Sequence, residues 1–150
     1  MKYKDTWDLD SIFPGGTKSA ELQNKIQTIE EEIRQFETSL NRWQFQKDPS
    51  AETLLSILKE QEKIGKGLGQ SSAFVQMCHD SFMDDEYANV VMGQILNLAS
   101  EMQKLSNTMM KKLVKIPDAD WDVLLQDQQL EKVAFRLGEI RNKGKRLLSD

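Results

Sequence analysis

Seven apolar residues, Leu22, Ile26, Ile29, Ile33, Phe36, Leu40 and Trp43, recur at intervals of 4-3-4-3-4-3 without a break. An α-helix with 3.6 residues per turn places all seven on one stripe, whereas a strand would scatter them over both faces. A stripe of that kind must be covered by another apolar surface, so the chain has to pack helix on helix. Val91, Ile95, Leu98, Met102, Leu105 and Met109 repeat the device at 4-3-4-3-4, with Tyr87, Leu113 and Val114 extending it. No segment shows a convincing period-two strand pattern. The expectation is an all-α fold: an antiparallel bundle of about four long helices over residues 17–150, preceded by an extended N-terminal arm, residues 1–16.

Turn and cap signals divide the bundle. The arm ends in Phe13-Pro14-Gly15-Gly16, a stop-and-turn signal. Trp7, Leu9, Ile12 and Phe13 are too apolar to leave in water, so the arm should lie across these helices or across a partner. The first helix is expected from near Thr17 to Ser19, with Glu21 in its favourable first turn. Asp48-Pro49 then restarts the chain, aspartate capping and proline at the first helical position. The second helix carries Leu54, Leu55, Ile57, Leu58, Ile64, Leu68, Val75 and Cys78. Gly65, Gly67 and Gly69 should interrupt it, at about 1 kcal/mol each relative to alanine. They follow no strand and match neither dinucleotide nor Walker spacing, so they read as a kink or a close helix approach.

The break Asp80-Ser81-Phe82-Met83-Asp84-Asp85 ends the second helix, with Asp84 as the expected cap of the third. It lacks the glycine and glutamate spacing of a calcium loop. Pro117 stops the third helix, and Asp118 or Asp120 starts a short one around Trp121, Leu124 and Leu125. After a break at Gln126 to Gln129, a last helix carries Leu130, Val133, Ala134, Leu137, Ile140 and Leu147. Its basic end, Arg141, Lys143, Lys145 and Arg146, suits a helix C-terminus, and no aromatics interleave as they would on a nucleic-acid surface.

Charge and composition narrow the function classes. A net charge of −4 supplies no global basic field for nucleic acid or anionic lipid. No apolar run approaches the roughly 20 residues of a membrane span, and the polar N-terminus lacks a signal-peptide core, so a cytoplasmic location is expected. Glu30-Glu31-Glu32 reads as a solvated face and the methionines as adaptable core filler. With one histidine, His79, and one cysteine, Cys78, the chain cannot build an H-E-x-x-H zinc site. Cys78 and His79 are adjacent, so a helix would point them about 100° apart. No catalytic, cofactor-binding or metal-ligating residue is assigned.

The order of segments carries a resemblance. Thr6-Trp7-Asp8-Leu9-Asp10-Ser11-Ile12-Phe13-Pro14 resembles the opening W-D-L-x-x-[IL]-[FY]-P of oligoendopeptidase F-type (thimet-oligopeptidase-like) zinc metallopeptidases. The likeness continues through the long helix, the break from Cys78 to Asp85, the Leu98/Leu105 helix and Trp121-x-x-Leu124-Leu125. It ends with Phe135-Arg136-Leu137-Gly138-Glu139-Ile140-Arg141 and Leu147-Leu148-Ser149-Asp150. The resemblance implies the non-catalytic N-terminal helical region of a cytoplasmic metalloendopeptidase, lining or lidding a channel that admits short peptides. It also implies a C-terminal catalytic domain, absent here, that would hold the zinc; no family catalytic position falls on this sequence. The alternative from the same residues is a stand-alone helical module that self-associates into a homo-oligomer through exposed apolar helix faces, without enzymatic activity.

Overall fold

A computed structural model describes residues 8–148. The expectation for Trp7, and the ends of the resemblance at Thr6 and at Ser149-Asp150, lie outside the described residues. The fold is all-α: α1 (Ala20–Arg42), α2 (Ala51–Ser81), α3 (Glu86–Val114), α4 (Asp118–Leu125) and α5 (Ala134–Leu147), with short 3-10 turns at Leu9–Ser11, Gly16–Lys18 and Gln128–Leu130. Two compact units can be distinguished. One contains the described residues up to 34 together with 63–101; the other contains 35–62 and the residues from 102 on.

In the first unit, α1 and α2 run antiparallel. Glu32 meets Lys63 at 2.7 Å, and Ile29, one turn earlier on α1, lies over Gly67, one turn later on α2. The stripe residues Leu22, Ile26, Ile29 and Ile33 are all buried, as are Val91, Ile95 and Leu98 on α3. The arm folds onto this unit. Leu9 is buried, and the Phe13 ring packs edge-on against Phe74 of α2 with centroids 4.9 Å apart. Gly15 and Gly16 both have positive φ, which lets the chain turn sharply into α1. Ser19 then accepts the Leu22 N–H at 3.4 Å, so α1 begins at Ala20.

Two local expectations change here. Gly65, Gly67 and Gly69 do not interrupt α2, which is one helix of 31 residues. Burial of Ile64, Leu68, Phe74 and Val75 along the same helix outweighs the propensity cost. Only Gly67 has a packing reason to lack a side chain, since a Cβ there would stand 3.1 Å from Ile29, while Gly65 and Gly69 face open space. The cap of α3 is Asp85 rather than Asp84. Its carboxylate accepts the Ala88 N–H at 3.2 Å and the Thr17 hydroxyl at 2.7 Å, joining the end of the arm to the start of α3.

The second unit packs the remainder of α1, α2 and α3 with α4 and α5. Phe36, Leu40 and Trp43 continue the first stripe into its core, and Met102, Leu105, Met109 and Leu113 continue the other. Ser50 rather than Asp48 caps α2, its hydroxyl accepting the Thr53 N–H at 3.2 Å, so Pro49 stands outside the helix. Asp48 serves one step back, accepting the Ser50 N–H and the Thr53 hydroxyl. Those bonds hold its carboxyl below the usual range.

Arg141 departs most from expectation. It is 5% exposed and does not serve the end of its own helix. Its guanidinium donates to the carbonyls of Leu113 and Ile116 at the end of α3, pairs with Asp118 at 2.8 Å, and stacks 4.7 Å over Trp121. Lys145 reaches the same Asp118 at 2.7 Å. Hydrogen bonds from Lys145 and then Arg141 lower the Asp118 pKa. Leu130 and Val133 precede α5 rather than lying within it, and Leu147 is exposed.

Two substitutions test this packing. Ile33→Asp, at the centre of the first stripe, should cost several kcal/mol by burying an unpaired charge, read as a large fall in the urea midpoint. An unchanged midpoint would place that face in water. Gly65→Ala should stabilise by about 0.5–1 kcal/mol. By contrast, Gly144→Ala would set a Cβ 2.6 Å from Val114 and 2.7 Å from Met110, and should cost about 1–3 kcal/mol.

Candidate functional site

Chemistry-bearing side chains gather at clefts in both units. One cleft of the first unit, about 490 Å³, lies where the arm meets the α2–α3 connection. Asp8, Asp10, Asp84 and Asp85 line it with Lys18 and Cys78. Two of these carboxylates already hold the backbone. Asp10 accepts the Gly15 N–H at 3.1 Å, and Asp85 is occupied by Thr17 and Ala88. Among the described residues, no three His, Cys, Asp or Glu side chains converge as metal ligands.

Cys78 and His79 do not form a pair. The sulfur is buried against Gly16, whereas His79 is exposed with Nδ1 3.4 Å from Asp80 Oδ1. Burial pushes the Cys78 thiol up, and the negative charges of Asp85 and Asp10 add to the effect. A cysteine nucleophile needs the opposite surroundings, a positive environment that favours the thiolate. Cys78 therefore belongs to the packing beneath the arm.

The second unit holds two adjoining clefts, about 200 Å³ and 440 Å³, that share Phe45 and Gln46 of the α1–α2 connection. Trp43, Ile116, Lys112 and Lys115 line the smaller one; Pro49, Pro117, Val123 and Leu124 line the larger. The sequence reading named Trp43, Pro49, Pro117 and Leu124 only as stripe, turn and helix-boundary residues, and did not name Lys112, Lys115, Phe45 or Val123. The one local signal was Lys112 and Lys115, spaced to share a helix face with no acidic residue four positions away on either side. The connection that completes the clefts lies some 70 residues earlier, beyond any local pattern.

No family model, curated protein or solved structure matches this chain.

The setting of Cys78 has a measurable consequence. Iodoacetamide should alkylate the folded protein at least about tenfold more slowly than the urea-unfolded chain at pH 8. The folded state also holds the thiol proton more tightly. Its contribution to stability is therefore complete below the ordinary thiol pKa of 9.0 and is lost as pH rises through the folded value. Cys78→Ala should remove that component of the alkaline loss in a pH series of denaturant melts.

Proposed function

We propose that the chain is a non-catalytic helical module of a zinc-dependent metalloendopeptidase of the oligoendopeptidase F type, lining or lidding a channel that admits short peptides. One observation carries the reading: segments that bear the resemblance supply the joints of the fold, in the same order along the chain. Leu9 and Phe13 pack the arm, the break up to Asp85 links α2 to α3, and Trp121 and Arg141 lock the end of α3. A wall needs rigid packing and no reactive groups of its own, which suits the buried, proton-holding Cys78. In this reading zinc and the general base belong to a catalytic domain elsewhere in the parent protein, and the location is cytoplasmic. Among the described residues, no helix is long and apolar enough to cross a membrane.

Self-association remains a second reading, with a changed surface. The α1 and α3 stripes are already covered within the chain, so a homo-oligomer would form through Val123, Phe135, Leu147 and Leu148, all exposed in the second unit.

Incubation with a quenched fluorescent peptide and added zinc should give no turnover above buffer. Chelator-sensitive cleavage by a protease-free preparation would overturn the non-catalytic assignment. Reading the gene beyond the codon for Asp150 tests the parent. A continuing frame with an H-E-x-x-H supports the proposal, and a frame closing there with no peptidase coding sequence sinks it.

A further inference from the structure

In the smaller cleft of the second unit, two ammonium groups stand beside apolar side chains without a counter-charge. Lys112 is half-buried and donates to the Trp43 carbonyl at 2.6 Å, which uses one of its three N–H bonds. Lys115 follows one turn later and lines the same cleft. Among the described residues, neither lysine is paired with a carboxylate. Burial, and then the charge of Lys115, lowers the Lys112 pKa below its ordinary 10.5. An anion held between the two would remove that repulsion.

The adjoining cleft constrains what the anion is attached to. On the other side of Phe45 and Gln46 the walls carry the apolar side chains of Pro49, Pro117, Val123 and Leu124. Asp120 is the acidic residue on this side. A free phosphate would satisfy the lysines and leave those apolar side chains wet. The last residue of a peptide carries a carboxylate and a side chain on one Cα, which matches two clefts meeting at one residue pair.

We propose that this double cleft binds the free C-terminus of a short peptide ending in an apolar residue. Lys112 and Lys115 hold the carboxylate, and the Pro117–Val123–Leu124 side takes the last side chain. Asp120 disfavours an acidic final residue. The choice of a peptide over other apolar carboxylates rests on the proposed function. The binding itself needs no catalytic domain.

The test titrates the isotopically labelled full chain with Ala-Ala-Leu, its C-terminal amide, Ala-Ala-Asp and acetate. The resonances followed are the Trp43 indole and the Gln44, Phe45 and Gln46 amides. Ala-Ala-Leu should shift these signals, with its amide and Ala-Ala-Asp each binding about tenfold more weakly. Lys115→Gln should weaken the tripeptide about threefold to fivefold without moving Tm, since Lys115 is exposed. Val123→Asp should weaken it similarly from the other side. Lys112 is left intact because it also holds the Trp43 carbonyl. Equal binding of acid and amide, acetate binding as tightly as the tripeptide, or no shift up to about 10 mM peptide would each overturn the proposal. Failure here leaves the peptidase parentage standing, and loss of that parentage leaves a positive titration standing.

Discussion

The fold depends on covering two long apolar stripes. Every residue of the 4-3 pattern from Leu22 to Trp43 is buried, and so is every pattern residue of α3 from Val91 to Met109. Each fully buried leucine, isoleucine or phenylalanine contributes about 1.5–3 kcal/mol, far more than any surface ion pair. That difference explains why α2 stays helical through three glycines. It also explains why the missing Cβ at Gly67 is useful: Ile29 of α1 comes close enough there to fill the space.

Burial alone leaves helix ends unsatisfied, and side chains remote in sequence close them. Arg141 reaches back 28 and 25 residues to the carbonyls of Leu113 and Ile116. Lys112 does the same for Trp43 after α1, across 69 residues. Asp85 joins Thr17 to the first turn of α3 across 68. Each is a charged group spending its hydrogen bonds on polar atoms that would otherwise be left open. For Arg141 the face of Trp121 also covers the guanidinium, so a buried cation is tolerated. The same economy produces the double cleft, because Lys112 keeps two donors after serving Trp43, next to Lys115.

Legibility from sequence followed the range of the forces involved. Stripes on α1 and α3 were readable because helical periodicity is local; their 4-3 residues are buried as expected, while Tyr87 and Val114 at the ends of the second are only half-buried. The glycine run misled because propensity is a weak term that core packing overrides. Asp84 and Asp85 are equally good caps by residue type, and only the reach to Thr17 selects Asp85. Asp48-Pro49 looked like a helix start, but Ser50 offered a hydroxyl one step later. Arg141 was placed in a basic patch because its true partners lie on another helix. The clefts at Phe45 were not readable at all, since their walls come from two stretches of chain some 70 residues apart.

By itself the sequence determined the all-α class, the inward stripes of α1 and α3, and the impossibility of an H-E-x-x-H site with a single histidine. These follow from residue spacing and residue inventory, which no packing can alter. Tertiary structure alone decided that α2 is continuous, that Asp85 and Arg141 close other elements' ends, and that Cys78 lies sealed beneath the arm. It also brought Trp43 and Phe45 beside Lys112 and Lys115. The physical reason is common to all four: each depends on atoms far apart in the chain meeting within a few ångströms, and one-dimensional pattern carries no distance.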